Sequence, residues 1–101
     1  MLTITETHKI YVACQPFDFR MGIDGFAAVC RRYFNLDPRN GYCFLFRNRR
    51  RTAIKVLLYD GSGFWLCHKR LSKGQFKCWP ISKESNVAIN PNQLSRLLQQ
   101  V

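Results

Sequence analysis

The stretch YCFLFRNRRRTAIKVLLYDGSGFWLCHKRL, residues 42–71, decides the fold of this chain. Its apolar and aromatic residues fall into runs of strand length, and the links between the runs are too short for helical crossovers. A further run of the same kind follows after a turn and ends at Pro80. The four predicted strands are residues 42–47, 53–59, 64–71 and 75–79. This pattern predicts an antiparallel β-meander.

The link at residues 60–63, with the sequence DGSG, is a strong hairpin signal. Glycine adopts the positive φ angles of tight turns without steric cost, and aspartate often begins such turns. We therefore expect Gly61 or Gly63 to have a positive φ angle between two paired strands.

A strand and a helix are predicted before this meander. Residues 10–14 are β-branched and aromatic, and Pro16 ends the run, which indicates a strand. From Ile23 onward apolar residues recur at helical spacing, and Asp24 is the predicted cap. The Asp-Pro and Asn-Gly signals of residues 35–41 should end the helix. The apolar positions of the predicted helix are Ile23, Phe26, Ala27, Val29, Cys30, Tyr33 and Phe34.

The carboxy-terminal part is expected to be a loose polar tail over residues 81–90, followed by a short helix. Proline is favoured at the first helical position, so this helix should begin at Asn90 and Pro91. We expect it to pack back on the domain, and the alternative is a helix that contacts another protein. Its apolar stripe is Leu94, Leu97, Leu98 and Val101. The predicted fold class is therefore α+β, an antiparallel β-meander sheet with one helix packed on a face and a short C-terminal helix.

Length and composition predict a single domain, residues 1–101, with its core at about residues 10–80. A chain of 101 residues with 47% hydrophobic and 14% aromatic content has enough apolar side chains for one compact core. No apolar run approaches the roughly 18 residues that cross a bilayer, and no signal-peptide pattern opens the chain. We expect a cytoplasmic protein without membrane contact.

The five cysteines are an odd number and contain no Cys-x-x-Cys pair. We interpret them as reduced core residues. They are Cys14, Cys30, Cys43, Cys67 and Cys78. With only two histidines, the chain also lacks the ligand set of a structural zinc site, so no metal or other cofactor is expected.

The positive charge of the chain is concentrated in one segment. The formal net charge is +10, from 16 Lys and Arg against 6 Asp and Glu. Residues 1–46 carry a net charge of +1, whereas residues 47–83 carry ten basic side chains against Asp60 alone, a net charge of +9. This distribution predicts a patch that meets a polyanion.

Four of these basic residues belong to the sequence FRNRRR, residues 46–51, which follows an aromatic strand directly. Mutual repulsion makes such a cluster mildly unfavourable for folding, and guanidinium groups fit phosphate oxygens in a bidentate way. The alternative is a solvated hairpin tip, because charge runs are often only solvated. The predicted phosphate contacts are Arg47, Arg49, Arg50 and Arg51, and the predicted extension of the patch is Lys55, Lys69, Arg70, Lys73 and Lys77.

Other chemistries have weaker support in the sequence. Two-metal phosphoryl transfer needs several converging carboxylates, and each carboxylate of this chain has a structural role available, such as a helix cap or a turn. The large rings could stack on bases, but in so small a domain such rings usually build the core. The carboxylates are Glu6, Asp18, Asp24, Asp37, Asp60 and Glu84, and the rings are Phe64, Trp65, Phe76 and Trp79.

Four short motifs, in this order, resemble one bacterial family. They are RMGIDG at residues 20–25, FRNRRR at 46–51, YDGSGFWL at 59–66 and KRL at 69–71. The chain resembles the Orf2-like accessory protein, also called TnpB, of insertion-sequence family sixty-six. The resemblance covers about residues 10–80, departs from the family at the sequence FDF of residues 17–19, and is loose in the C-terminal helix. It implies a mobile-element protein that is encoded beside a separate transposase and is needed for transposition, and it supplies no catalytic residues to carry over to this chain.

Charge and resemblance together predict a non-catalytic protein that binds DNA in support of transposition. Its partners would be DNA and the transposase of the same element. An assembly adaptor that docks on the transposase through protein contacts is the alternative, and a small nuclease ranks below it.

Overall fold

The computed structural model describes residues 9–40 and 42–99. The elements are β1 (Lys9–Ala13), α1 (Ile23–Tyr33), β2 (Tyr42–Arg47), β3 (Ala53–Tyr59), β4 (Phe64–Arg70), β5 (Asn86–Ile89) and α2 (Pro91–Leu98). Neither of these two helices is long and apolar enough to cross a membrane. The α+β class is confirmed, and the strand and helix bounds up to residue 70 lie close to the predicted ones.

The five strands form one sheet in the order β4-β3-β2-β1-β5. The pairs β2–β3 and β3–β4 are antiparallel, which confirms the meander in this part of the chain. β1, however, pairs parallel with β2, with Val12 beside Leu45. The prediction of a purely antiparallel sheet is therefore wrong. The physical reason is α1, which carries the chain back along the sheet before β2 and so forms a parallel crossover.

The hairpin between β3 and β4 is confirmed. Gly61 has a φ angle of +96°, whereas Gly63 does not have a positive φ angle. The side-chain Oδ1 of Asp60 accepts hydrogen bonds from the backbone N–H of Ser62 at 2.9 Å and of Gly63 at 3.0 Å. These bonds replace the backbone pairing that a turn loses.

Residues 75–79 do not form the predicted fourth strand of the meander. The side chains of Phe76 and Trp79 are both buried, and the two residues are three positions apart, which a regular strand facing one core cannot achieve. Trp79 also donates from Nε1 to the carbonyl of Ala13 at 2.8 Å. The segment therefore crosses the end of the sheet as an irregular strap, and the strand prediction is wrong.

The prediction of a loose tail over residues 81–90 is wrong for residues 86–89, because they form β5. This short strand pairs antiparallel with β1, with Val87 beside Val12. Val87 and Ile89 pack against the core while Ala88 is exposed, which is the alternation of a strand with one covered face. The edge of β1 supplies the hydrogen-bond partners that fix this segment.

Two helices cover opposite faces of the sheet. One buried cluster joins α1 to Phe44, Phe46 and Leu57. The other cluster joins α2 to Leu45 and Ile54 on the opposite face, so α2 packs back on the sheet as predicted. It is capped at its start, because the side chain of its preceding Asn accepts from a backbone N–H and Pro91 occupies the first turn. Val101 lies outside the described residues.

Two predictions about α1 and the cysteines need correction. Asp24 is not the cap of α1: the capping position is Gly22, and Asp24 lies in the first turn, where its charge suits the helix dipole. Cys14, Cys30 and Cys43 are buried, but Cys67 and Cys78 are exposed, so the core assignment is wrong for these two. Cys67 lies on β4, an edge strand of the sheet that the described residues form. Burial raises the pKa of Cys30 and of Cys43 to about 12.

Candidate nucleic-acid interface

The turn between β2 and β3 carries the arginines, and Asn48 organises its backbone. Asn48 Oδ1 accepts from the backbone N–H of Thr52 at 2.9 Å and of Ala53 at 3.2 Å, while its Nδ2 donates to Thr52 Oγ1 at 2.9 Å. The backbone N–H of Arg51 donates to the carbonyl of Asn48 at 3.2 Å. One amide side chain thus holds both ends of the turn, a role that only its Asx-turn propensity could have suggested from sequence.

The strap of residues 75–79 holds the same turn from outside. The backbone N–H of Phe76 donates to the carbonyl of Arg51 at 2.8 Å, and Gln75 Nε2 donates to the carbonyl of Arg50 at 2.8 Å. Phe76 is fully buried, so the strap is anchored in the core. The backbone of the turn is therefore an integral part of the fold, whereas the side chains of Arg49 and Arg50 are exposed.

Arg51 occupies an unusual backbone conformation. Its φ angle is +59°, in the left-handed region that residues other than glycine rarely adopt. Such a conformation costs on the order of 1–3 kcal/mol and persists only where the surroundings impose it. Here two hydrogen bonds impose it: the N–H of Arg51 donates to the carbonyl of Asn48, and the carbonyl of Arg51 accepts from the N–H of Phe76. The side chain of Arg51 is half-buried.

Other basic residues reach this turn through the sheet and the strap. Arg70, at the end of β4, pairs with Ala53 at the start of β3, and the backbone N–H of Leu71 donates to the carbonyl of Thr52 at 2.9 Å. Lys73 and Lys77 flank the strap residues that contact the turn. We call the group formed by the following residues the basic end: Arg49, Arg50, Arg51, Lys69, Arg70, Lys73 and Lys77.

The cations of the basic end have no carboxylate partner among the described residues. The ion pairs in residues 9–40 and 42–99 are Arg20 with Asp18, at 2.8 Å, and Arg39 with Asp37, at 3.6 Å. Six members of the basic end are also exposed. Unpaired cations of one sign at one end of a small molecule produce a positive potential that attracts polyanions.

Arg47 is placed differently from the other three predicted arginines. It is only 9% exposed, and its Nη1 donates to the carbonyls of Asn48 at 3.2 Å and Arg49 at 3.5 Å. Burial, followed by the charges of Arg51 and Arg49, lowers the pKa of Arg47. The sequence contained the signal for this position, because Arg47 lies on the same strand face as buried Cys43 and Leu45, at a spacing of two.

Lys55 also makes internal contacts. Its Nζ donates to the carbonyl of Phe19 at 2.8 Å and to that of Met21 at 3.4 Å. The ammonium group also lies 5.3 Å from the centroid of the Phe19 ring and 5.6 Å from that of Phe26. Lys55 therefore fastens the segment before α1 to the sheet. Its position between the inward-facing Ala53 and Leu57 of β3 is the sequence signal for this packing.

Arg20 lies near the arginine turn although sequence reasoning did not select it. The segment before α1 is held against the end of β2, because the backbone N–H of Phe17 donates to the carbonyl of Arg47 at 3.1 Å. Arg20 and Arg49 consequently line one cleft. The guanidinium of Arg20 also lowers the pKa of Asp18 to about 2 through side-chain hydrogen bonds. Only the tertiary fold brings these residues together.

The competing chemistries find little geometric support in the described residues. No three side chains among their His, Cys, Asp and Glu lie close enough to hold a metal ion. Of the large rings considered for stacking, Phe76 and Trp79 are core residues, as expected. Trp65 is half-exposed, and its Nε1 donates to Asp60 Oδ2 at 2.7 Å across the β3–β4 turn.

Comparisons with known proteins identify relatives of this chain. The profile of the IS66 Orf2-like protein family matches residues 8–101. The uncharacterized protein y4hO of Sinorhizobium fredii is 36% identical over 98 residues, which cover 97% of this chain and 84% of that protein. The uncharacterized protein y4jC of the same bacterium is 36% identical over 90 residues, which cover 89% of this chain and 76% of that protein. No solved structure matches the chain.

Proposed function

This chain belongs to the IS66 Orf2-like family, and from that membership and its charge distribution we propose that it is a non-catalytic accessory protein of transposition that binds DNA. The proposal places the protein in the cytoplasm, with DNA and the transposase of the same element as its partners. The binding surface is the basic end.

The observation that carries this proposal is the combination of a fixed backbone with unpaired side chains at the basic end. Asn48, Gln75 and Phe76 hold the backbone of the arginine turn through hydrogen bonds. The arginine side chains have no carboxylate partner among the described residues. A fixed backbone lowers the entropy cost of ordering the turn on a ligand, and unpaired guanidinium groups remain available to phosphate oxygens.

Each member of the predicted site has a separate role in this proposal. The exposed Arg49 and Arg50 contact phosphates directly, and the remaining members of the basic end widen the positive surface. Arg47 and Lys55 act as positioning residues, since their nitrogens donate to backbone carbonyls of the turn and of the segment before α1. Contacts to phosphates do not distinguish one base sequence from another, so this surface binds duplexes of different sequence about equally.

A salt titration of duplex affinity tests the proposal. Fluorescence anisotropy with a labelled duplex should give a dissociation constant that rises steeply with salt, because each phosphate contact contributes about 0.9 to the log–log slope. A flat salt dependence would overturn phosphate binding. Incubation of a supercoiled plasmid with Mg²⁺ or Mn²⁺ should leave it intact, and nicking by the purified protein would overturn the non-catalytic assignment.

One observation favours the adaptor as a second candidate. β4 is an edge strand of the sheet formed by the described residues, and Trp65 on it is 48% exposed. An open strand edge can pair with an extended segment of another protein. If the transposase docks there, the two proteins should co-purify in high salt, and Trp65→Ala should weaken that association without changing duplex affinity. Co-purification that is lost in high salt, or that Trp65→Ala leaves intact, would exclude this docking site.

A further inference from the structure

Tyr33, the last residue of α1, is unusually exposed for a residue of an apolar helix face. The sequence pattern placed it on the buried side of α1, yet the residue is 65% exposed. Its ring packs against the Phe17 ring in an edge-to-face arrangement, at a centroid distance of 6.0 Å and an interplanar angle of 63°. The Phe17 ring in turn packs edge-on against Phe34 at 6.3 Å and Phe46 at 5.8 Å. Core rings thus support Tyr33 from one side, and solvent contacts the other.

The same Phe17 connects Tyr33 to the arginine turn. Its backbone N–H donates to the carbonyl of Arg47 at 3.1 Å, at the end of β2. Phe17 also lines a cleft of about 300 Å³ together with Pro16, Asp18, Arg20 and Arg49. One phenylalanine therefore has an exposed tyrosine ring on one side and a cleft with two guanidinium groups on another.

Arg20 and Asp18 define the charge of this cleft. Arg20 donates from Nε and Nη2 to the carboxylate of Asp18, at distances of 2.8–3.1 Å. No hydrogen bond to a described residue engages the Nη1 group of Arg20. Arg49 has no ion pair among the described residues. Two guanidinium groups against one carboxylate leave a positive cleft that suits a phosphate diester.

We propose that Tyr33 and this cleft bind an unpaired nucleotide of a DNA strand, with the base stacked on the Tyr33 ring and the adjoining phosphate held by Arg49 and Arg20. This inference rests on the proposed DNA-binding function and adds a preference for strand ends or single-stranded segments. An exposed ring can stack only on a base whose face is accessible, and the bases inside a duplex cover one another. A duplex therefore binds to the basic end alone, whereas a single strand binds to the basic end and to the site formed by Tyr33 and the cleft.

The test compares a labelled single-stranded oligonucleotide with the blunt duplex of the same sequence. Base stacking on an aromatic side chain corresponds to roughly a 5- to 150-fold change in affinity, so Tyr33→Ala should weaken single-strand binding by that factor. Duplex affinity should change by no more than about twofold, as for a typical surface substitution. Tyr33→Phe retains the ring and should retain single-strand affinity. Trp65→Ala is the control, since it removes a half-exposed ring at the opposite end of β4 from the basic end.

The outcomes separate this inference from the proposed function. If the wild type binds duplex with a steep salt dependence and Tyr33→Ala binds single strands normally, the stacking site is wrong and the duplex surface stands. If the wild type binds neither form, both fail. A fluorescence measurement gives an independent test: Tyr33→Trp in the Trp65→Phe background should lose exposed tryptophan emission with single strands and not with duplex. Equal quenching by the two forms, or none, would overturn the proposal.

Discussion

Two turns of the same meander have similar hydrogen bonds and a positive φ angle each, but they use different residues for them. The β2–β3 turn begins at Asn48 and the β3–β4 turn begins at Asp60. In each turn, the side chain of this first residue accepts hydrogen bonds from two backbone N–H groups that follow it. Each turn also contains one residue with positive φ. That residue is Arg51, at +59°, in the first turn and Gly61, at +96°, in the second.

The two turns differ in what holds the residue with the positive φ angle. Glycine satisfies a positive φ angle at little cost, whereas an arginine in the left-handed region costs on the order of 1–3 kcal/mol. The β2–β3 turn compensates through the strap contacts of Gln75 and Phe76. The side-chain hydrogen bonds of the β3–β4 turn come from residues close to it in sequence, such as Trp65. This difference agrees with the proposal that the arginine turn contacts DNA, and the variants below test it.

The largest expected effect on stability comes from the residue that organises the arginine turn. Asn48→Ala removes the acceptor of the Thr52 and Ala53 N–H groups and the donor to Thr52 Oγ1. We expect the free energy of unfolding to fall by about 2 kcal/mol in urea denaturation. Asn48→Asp retains the acceptor and should lose less. A loss below about 0.5 kcal/mol for the alanine variant would show that the strap alone holds the turn.

The next effect separates backbone conformation from packing in the β3–β4 turn. A Cβ atom added at Gly61 or Gly63 would meet no atom within 4 Å, so neither substitution introduces a clash and the backbone angle is the main difference between them. Gly61→Ala should lower the free energy of unfolding by about 1 kcal/mol or more, because alanine resists positive φ. Gly63→Ala should change it by less than about 0.5 kcal/mol. Equal effects on the melting curves of both variants would contradict the assigned turn conformation.

A substitution in the arginine turn should raise stability while lowering DNA affinity. Arg51→Gly relieves the left-handed backbone strain, so the free energy of unfolding should rise by up to about 1 kcal/mol. Arg50→Gly removes the same charge but relieves no strain, and it should destabilise by about 0.5–1 kcal/mol. Duplex affinity should fall in both variants. If Arg51→Gly destabilises as much as Arg50→Gly, the strain at residue 51 has no energetic weight.

The smallest effect is expected from the charge of Asp60 and should depend on pH. Hydrogen bonds from Trp65 and then from Ser62 lower the pKa of Asp60 below its unfolded value of about 3.9. The ionised carboxylate therefore stabilises the fold above that pH, and this contribution is lost as the pH falls toward the folded-state pKa. Wild type should melt above Asp60→Asn at neutral pH, and the difference should begin to shrink below about pH 4 and vanish only near the lower folded-state pKa.

The Trp65→Phe variant provides the control for this titration. It removes the hydrogen bond that contributes most to the lowered pKa of Asp60, so its stability should depend less on acid pH than that of the wild type. A gap between wild type and Asp60→Asn that does not change with pH would contradict a role for the ionised carboxylate.

The two turns also show how far the sequence can predict the structure. Both hairpins were predictable because their signals are local, and so was α2, with Pro91 in its first turn. β5 was not predictable, since its four residues are held by the edge of β1, which is distant in sequence. The strap was mistaken for a strand because an aromatic run does not reveal that Phe76 and Trp79 enter the same core.

The candidate site was predictable in composition and only partly in geometry. Charge counting found the members of the basic end, but it treated Arg47 and Lys55 as equivalent to exposed residues. The two-residue alternation of the strands could have separated them. Arg20 and Tyr33 carried no usable signal, because only the tertiary fold places Phe17 against the Tyr33 ring and in one cleft with Arg20 and Arg49.

The most direct test of the account compares two double variants that lose the same charge. Arg49→Gln/Arg50→Gln removes two exposed members of the basic end, whereas Arg39→Gln/Arg96→Gln removes one exposed arginine before β2 and one on α2. If Arg49 and Arg50 each contact one phosphate, the log–log salt slope of duplex binding should fall by about 2 in the first variant, and it should stay unchanged in the second. Equal slopes for the two folded variants would contradict phosphate contact at the arginine turn.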